Sequence, residues 1–222
     1  MSHLILGNGL LGSEIRRQTD WRCLSHKEFD ITQLTSLSEL YGDIIINCTG
    51  YTKTYDNNDD KHYLINYASV KKLIDYCNET HKKLIHISTD YLYAGSVENA
   101  TERDRLVPVS TWYGYYKLLA DELVQLESED FLICRGTHKP FPFPHPVAWT
   151  NQVGNFDYVN IMAKLIIKLI ERGAHGVYNV GTERKSMYQL AQRTSDAKPI
   201  ECPVPEVPKN VTMNLDKLKS VL

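Results

Sequence analysis

The chain has 222 residues, of which 42% are hydrophobic, and a formal net charge of −2 at pH 7. This length and composition are sufficient for one α/β domain with a buried core, and the slightly acidic balance gives no support for nucleic acid as a partner. No apolar stretch is long enough to span a bilayer, so we expect no membrane partner. The five cysteines and eight histidines lack metal-ligand spacing, and we predict neither a metal site nor a disulfide framework.

The first residues predict a dinucleotide-binding turn. The apolar run His3–Leu6 is typical of a short strand, and Ser13–Arg17 is typical of a helix. Three glycines lie between them with the spacing GxGxxG, which in this context is the dinucleotide fingerprint. Gly7 permits a sharp turn, Gly9 lets the backbone approach a pyrophosphate, and Gly12 lets the helix pack closely on the strand. Because this strand begins at residue 3 with no signal peptide before it, we also expect a cytoplasmic protein.

The residues after the second predicted strand, Trp21–Leu24, indicate the cofactor. In dinucleotide folds an acidic residue at this place binds the ribose 2′-hydroxyl of NAD. Here the next residues are Ser25, His26 and Lys27. A hydroxyl and two potential cations suit the 2′-phosphate of NADPH, so we expect NADPH, with NADH also open. The alternative interpretation is a solvated loop.

Strands and helices alternate along the rest of the chain. Further strands are predicted at Asp43–Asn47, Leu84–Ile87, Phe131–Cys134 and Gly176–Val180, and helices at Leu34–Leu40 (capped by Asp30 or Thr32), Tyr63–Cys77, Trp112–Leu126, Ile161–Ile170 and Met187–Arg193. This alternation predicts an α/β fold with a Rossmann-type, doubly wound parallel sheet, in one NAD(P)-binding domain over residues 1–222. Ligands of such sheets bind at the carboxyl ends of the strands.

Three polar residues near those strand ends predict reductase chemistry. Thr89 follows a predicted strand, and Tyr113 begins a predicted helix with Lys117 one turn further on. Because residues i and i+4 share a helix face, we expect the Lys117 ammonium to lie near the phenol and to lower the pKa of Tyr113. Such a phenol can protonate a carbonyl oxygen while a nicotinamide delivers hydride. The alternative is that Tyr113 is one of fourteen tyrosines that simply pack on helices, and a second YxxxK, Tyr67–Lys71, is interpreted in that way.

The motifs together resemble the dTDP-4-dehydrorhamnose reductase family of extended short-chain dehydrogenases. The resemblance rests on Gly7–Gly12, Asp30–Thr32, Asp43–Thr52, His86–Tyr91 and Tyr113–Lys117. It implies a catalytic triad of Thr89, Tyr113 and Lys117. Of these three, Tyr113 and Lys117 would also contact the cofactor. It implies further cofactor contacts from Gly9, Leu10, Leu11, Asp30, Ile31, Gly50, Tyr51 and Thr52, and substrate contacts from Asp90 and Tyr91. The implied reaction reduces the 4-keto group of a nucleotide-linked 6-deoxy-4-ketohexose, as in dTDP-rhamnose biosynthesis.

The resemblance weakens in two segments, 136–160 and 181–222, which we predict to form a reduced substrate-binding lobe. His138 stands where the family carries a tryptophan that packs on the substrate, and we assign it to substrate binding. The stretch Gln152–Asn155 resembles the start of the family's Gln-x-Gly-x-Pro-Thr motif, but Phe156 and Asp157 stand where its Pro-Thr pair would be. The alternating prolines of Pro140–Pro146 fit neither a helix nor a central strand, so we predict an extended surface segment. A different sugar nucleotide, a different ketone or aldehyde, or a partner chain that completes the site stays open.

Two other functions also stay open. One is a non-catalytic NADP-binding regulatory or scaffold subunit, which the reduced lobe motivates. The other is an epimerase or a dehydratase, of which the dehydratase ranks low because Asp90 is followed by Tyr91 and not by a glutamate. Short-chain dehydrogenases often pair through their two long helices, here 61–77 and 112–126, so a homodimer is an expectation from the fold alone.

Overall fold

The computed structural model describes residues 1–33 and 40–222. Residues 34–39, and with them the predicted helix over Leu34–Leu40, lie outside this description. In chain order the strands are β1 (His3–Leu6), β2 (Arg22–Leu24), β3 (Ile44–Asn47), β4 (Lys83–Ile87), β5 (Phe131–Arg135), β6 (His138–Lys139), β7 (Val147–Trp149), β8 (Val153–Gly154), β9 (Asp157–Tyr158), β10 (Gly176–Asn179), β11 (Lys185–Ser186), β12 (Lys198–Ile200) and β13 (Asn210–Val211).

The helices alternate with the strands of the main sheet. They are α1 (Leu10–Gln18), α2 (Asp59–Tyr63), α3 (Ser69–Glu79), α4 (Trp112–Glu127), α5 (Val159–Glu171), α6 (Met187–Ala191) and α7 (Asp216–Val221), with a π-helical turn at Leu64–Ala68 and a 3₁₀ turn at Asp90–Tyr93. In the described ranges, no helix has the length and apolar character needed to cross a membrane.

The main sheet has six parallel strands in the order β10-β5-β4-β3-β1-β2. Along each inner strand, successive side chains enter opposite layers, as the two-residue period of a strand requires. Ile5, Ile46 and Ile85 pack in the layer that holds α1 and α5, while Leu4 and Ile45 pack in the layer that holds α3 and α4. Both faces are therefore covered, which confirms the predicted doubly wound sheet.

One long helical segment carries a π-helical turn that the sequence did not predict. We expected a plain helix over Tyr63–Cys77, whereas the structure joins α2 and α3 through Leu64–Ala68. The turn holds Asn66, which is 2% exposed. Its side-chain oxygen accepts from the backbone N–H of Tyr51 at 2.8 Å, and its amide donates to the Tyr51 carbonyl at 3.0 Å. The π turn thus fixes the loop that follows β3, in keeping with the frequent location of such turns at functional sites.

A small separate core lies beyond the main sheet. β7 pairs with β12, β8 pairs with β11 and β13, and β6 pairs with β9. Phe143, Phe156, Tyr158 and Leu190 belong to the cluster of buried side chains here. The proline segment 140–146 was predicted to lie on the surface, but Phe143 is only 7% exposed. The other residues of the segment are exposed or half-buried, as predicted, whereas Phe143 is buried in the cluster that also contains Phe156.

A buried ion pair connects α4 to β5. Asp121 is fully buried and Arg135 is 1% exposed, and the guanidinium Nη2 donates to Asp121 Oδ1 at 2.6 Å. The Ser88 hydroxyl donates to the other carboxylate oxygen at 2.6 Å. These contacts hold α4 against the end of β4.

We expect Asp121→Asn to lower the free energy of unfolding by about 3–5 kcal/mol, because it leaves the Arg135 guanidinium buried without a counter-charge. Urea denaturation followed by circular dichroism measures the loss. Glu122→Gln is the matched control, since Glu122 is exposed on the same helix and its replacement should change stability by less than about 0.5 kcal/mol. Equal stability of the two variants would contradict the structural role of the pair.

Candidate active site

A cleft of about 370 Å³ opens at the carboxyl ends of the central strands. The predicted site residues that line it are Gly9, Leu10, Leu11, Gly50, Thr52, Thr89, Tyr91, Tyr113, Lys117 and His138. The predicted site residues outside that lining are Gly7, Gly12, Ser25, His26, Lys27, Asp30, Ile31, Tyr51 and Asp90. The cleft therefore joins the glycine turn to the three residues predicted to be catalytic.

The glycine turn has the geometry that close approach of a phosphate requires. Gly7 has a φ of +96°, which favours glycine. A methyl group at Gly12 would collide with the backbone oxygen of Gly7, whereas one at Gly9 would meet nothing within 4 Å. Helix α1 begins directly after Gly9, with no side-chain cap on its first N–H groups. These N–H groups and the dipole of α1 fit a dinucleotide pyrophosphate.

The residues after β2 form an exposed turn beside the glycine turn. The Gly7 N–H donates to the Leu24 carbonyl at 2.9 Å, so Ser25 follows on the same edge of the sheet. The side chain of His26 is 79% exposed, and its Nδ1 lies 4.0 Å from Asp30. Asp30 Oδ1 accepts from the backbone N–H and the hydroxyl of Thr32, and Lys27 is exposed. None of these side chains reaches the main cleft.

Two predicted cofactor contacts have local structural roles. Ile31 is 4% exposed and packs in a core cluster, so its side chain is not free to contact a ligand. The Tyr51 hydroxyl donates to Asp56, and its ring meets the buried His62 edge to face at 4.8 Å between centroids. The side chains of the β3 loop thus hold its backbone at the cleft wall, where Gly50 and Thr52 lie.

Helix α4 brings Tyr113 and Lys117 to the cleft wall. The Thr111 hydroxyl caps the helix by accepting from the Gly114 N–H at 3.2 Å. The Lys117 ammonium donates to the Ile87 carbonyl at 2.7 Å and lies 3.4 Å from Nε2 of His86. Burial lowers the pKa of Lys117 to about 8. The ammonium is therefore held by β4.

The expected lowering of the Tyr113 pKa is wrong. Burial raises the pKa of Tyr113 to about 12, the neighbouring Asp90 charge acts in the same direction, and hydrogen bonding with Thr89 only partly opposes them. Lys117 does not offset the burial, because its ammonium is directed to the Ile87 carbonyl. The consequence is a Tyr113 phenol that keeps its proton at neutral pH, which is the state a proton donor needs.

The far end of the cleft is polar and largely buried. Asp90 is fully buried and accepts a hydrogen bond from the Thr137 hydroxyl at one oxygen, while its other oxygen has no partner in the described residues. The Gln152 amide donates to the Tyr91 hydroxyl at 3.0 Å. Burial lowers the pKa of His138 to about 4, so its imidazole is neutral at pH 7. The neutral His138 imidazole and the Tyr91 hydroxyl suit the hydroxyl groups of a sugar.

The sequence missed several residues at this site. Asn66, Thr137 and Lys139 line the cleft, and Gln152 supports its wall through Tyr91. Only Gln152 had a signal, because it lies in a stretch that resembles a family motif. Thr137 and Lys139 flank His138 and have no distinctive spacing of their own. Among the described residues, no group of three or more His, Cys, Asp or Glu is placed to hold a metal ion.

The sequence matches a known family. A family model described as the RmlD substrate binding domain matches residues 1–138. The chain is 26% identical over 196 residues to a dTDP-4-dehydrorhamnose reductase of Mycobacterium tuberculosis (strain CDC 1551 / Oshkosh), which covers 77% of this chain and 64% of that protein. It is also 26% identical over 220 residues to the spore coat polysaccharide biosynthesis protein SpsK of Bacillus subtilis (strain 168), covering 87% and 77%. The chain thus spans less than two thirds of the mycobacterial protein.

Solved structures share the fold over nearly the whole chain. A dTDP-4-dehydrorhamnose reductase from Bacillus anthracis str. Ames in complex with NADP superposes with a TM-score of 0.85 at 22% identity, covering 99% of this chain and 92% of that chain. MoeE5 in complex with UDP-glucuronic acid and NAD superposes with a TM-score of 0.80 at 15% identity, covering 100% and 92%. At these identities the likeness establishes the Rossmann-type fold.

The buried carboxyl of Asp90 makes the free energy of unfolding depend on pH. Burial raises the pKa of Asp90 to about 6, so between about pH 4 and 6 the folded chain binds this proton more tightly than the unfolded chain. Stability is therefore lost as the pH rises through this window. We expect Asp90→Asn, which retains an oxygen for Thr137, to be more stable than wild type by roughly 2 kcal/mol at pH 7 and equal to it below about pH 4.

Denaturant midpoints measured from pH 4 to pH 7 test this expectation. Asp196→Asn, an exposed carboxylate with no ordered partner among the described residues, is the control and should follow the wild type at every pH. A stability difference between Asp90→Asn and wild type that does not change with pH would contradict the assignment.

Proposed function

The chain belongs to the RmlD substrate binding domain family of dTDP-4-dehydrorhamnose reductases, as the motifs predicted, and on that premise we propose that it is an NAD(P)H-dependent oxidoreductase of nucleotide-linked sugars. The observation that carries the proposal is the single cleft that joins the glycine turn to Thr89, Tyr113 and Lys117. A dinucleotide bound on the turn can extend its nicotinamide toward Tyr113. A sugar can then enter from the polar end, which Tyr91 and His138 line.

The finer proposal is reduction of the 4-keto group of a 6-deoxy-4-ketohexose. A bound reduced nicotinamide supplies the hydride to the carbonyl carbon. Tyr113 gives its proton to the carbonyl oxygen, and the Thr89 hydroxyl holds that oxygen in place. The raised pKa of Tyr113 supports this role, because the phenol is protonated before the reaction. Lys117 holds the nicotinamide ribose while the Ile87 carbonyl orients its ammonium.

The residues present fit a dinucleotide cofactor. Gly9 leaves the backbone open to a pyrophosphate, and the uncapped start of α1 supplies N–H donors. The B. anthracis relative holds NADP and MoeE5 holds NAD. We propose NADPH as the reductant, by analogy with the NADP of the B. anthracis relative, with NADH also accepted.

A regulatory or scaffold subunit is less well supported. Such a protein needs a dinucleotide site but has no chemical need for a buried lysine and a protonated tyrosine at the same cleft wall. A homodimer stays a prediction, and the exposed Trp112 and Tyr115 at the start of α4 are available to such an interface.

We expect Tyr113→Phe to lower kcat by about 10²–10⁴-fold, because it removes the proton donor and little else. The assay follows loss of reduced-cofactor absorbance with a panel of nucleotide-linked 4-keto-6-deoxy sugars. Cofactor affinity, measured by fluorescence titration, should change less than about threefold. Tyr115→Phe is the matched control, since Tyr115 is exposed on the same helix, and it should keep wild-type turnover.

Two results would count against the proposal. Full turnover by Tyr113→Phe would mean that another group donates the proton. Tight cofactor binding by wild type with no reduction of any sugar in the panel would favour the regulatory alternative or a different carbonyl substrate.

A further inference from the structure

The turn after β2 contains an acidic residue that folds back on the strand end. The backbone N–H of Glu28 donates to the Ser25 carbonyl at 3.0 Å, which closes one helical turn. The Glu28 carboxylate oxygen Oε2 then accepts from the Ser25 N–H at 2.8 Å and from the Ser25 hydroxyl at 2.6 Å. The Ser25 hydroxyl, which the sequence assigned to a cofactor phosphate, is therefore already bound to a carboxylate of the chain, as is the Ser25 N–H.

The turn that holds this carboxylate follows β2, which is where dinucleotide folds recognise the adenosine ribose. In such folds an acidic residue about 20 residues beyond the glycine turn binds the ribose 2′-hydroxyl. Glu28 meets this spacing from Gly7–Gly12 although it is not the residue directly after β2. The hydrogen bond from Gly7 to Leu24 places the Ser25 turn next to the glycine turn, so the fold brings Glu28 to the expected edge of the sheet.

The surroundings keep Glu28 charged. Its hydrogen bonds from Ser25 lower the pKa of the carboxyl, and the charges of Arg16 and Arg22 lower it further. These two arginines and Glu28 line one surface hollow together with Cys23 and Leu24. Asp20 lines the same hollow, so the local charges are two guanidinium groups that can attract a phosphate and two carboxylates that repel it.

We propose that Glu28 is the residue that sets the choice between NADH and NADPH. Its carboxylate can accept a hydrogen bond from the 2′-hydroxyl of NADH, whereas it competes with the 2′-phosphate of NADPH for the Ser25 donors and repels its charge. Glu28 thus limits the affinity for NADPH and admits NADH. The inference rests on the dinucleotide binding of the proposed function but not on the identity of the sugar.

The turn after β2 is therefore less suited to a 2′-phosphate than its sequence indicates. The sequence assigned Ser25, His26 and Lys27 to the 2′-phosphate because no acid follows β2 directly. In the structure the acid comes three residues later and returns to Ser25. His26 lies beside another carboxylate, that of Asp30, at 4.0 Å. The 2′-phosphate therefore meets two carboxylates at this turn as well as the cations.

Direct binding titrations of Glu28→Gln test the proposal. The glutamine keeps an oxygen that accepts from Ser25, so the turn is retained while its charge is removed. We expect the Kd for NADPH to fall about tenfold or more and the Kd for NADH to stay constant or rise, because the repulsion disappears and the charged acceptor is lost. Fluorescence of the bound reduced cofactor gives both constants without any sugar, so the result is independent of the proposed reaction.

Controls separate this role from a general charge effect. Glu122→Gln changes the net charge equally on the exposed face of α4 and should leave both Kd values unchanged. Raising the salt concentration to about 0.5 M should reduce the preference gained in Glu28→Gln, because the contact is exposed to solvent. The proposal is overturned if Glu28→Gln leaves the Kd for NADPH within twofold of wild type, or if both cofactors tighten by the same factor.

Discussion

The position of helix α4 depends on the buried ion pair between Asp121 and Arg135. The carboxylate binds the guanidinium from β5 and the Ser88 hydroxyl from the end of β4. The guanidinium also donates to the Tyr93 hydroxyl at 2.8 Å, which in turn donates to Asn179 on β10. One connected network of buried polar groups therefore ties together α4, β5, β10, the 3₁₀ turn and the end of β4. Since such groups are costly unless every one is paired, the network permits few alternative placements of α4.

Burial also controls the protonation of the two groups that α4 carries into the cleft. Burial disfavours the charged form of a group, so it raises the pKa of a phenol and lowers the pKa of an ammonium. The pKa of Tyr113 is raised and the pKa of Lys117 is lowered accordingly. The Lys117 ammonium is held by the Ile87 carbonyl and is not directed at the Tyr113 phenol. The cleft thus keeps the protonated Tyr113 phenol near the Lys117 ammonium, whose position is fixed by the last residue of β4. Proton donation in the cleft therefore depends on where β4 ends.

Most of the sheet and the three central site residues could be predicted from the sequence. A continuous apolar run, such as residues 44–46, predicts a strand that is covered on both faces, and the glycine spacing predicts a turn. Both predictions were possible because each pattern lies within a few consecutive residues. Contacts between distant segments left no such signal. The direction of the Lys117 ammonium depends on a carbonyl of β4, and the burial of Phe143 depends on the side chains of the small separate core. Glu28 shows the same limit at short range, because only the folded turn returns its carboxylate to Ser25.

The π-helical turn at Leu64–Ala68 sets the relative rotation of α2 and α3, the two helices that it joins. A π turn is equivalent to one extra residue in an α-helix, which rotates everything after it by about 100°. The part before the turn contacts α4, where Tyr116 donates to Asp59 at 2.7 Å. The part after it also contacts α4 and covers the sheet with Leu73 and Ile74. Removal of a single residue from this turn would let the helix become regular but would rotate one part relative to the other, so that both could no longer keep these contacts. The extra residue is therefore a spacer that sets the phase between the two parts of the helix, and Asn66 is the side chain that this spacer turns toward the loop after β3.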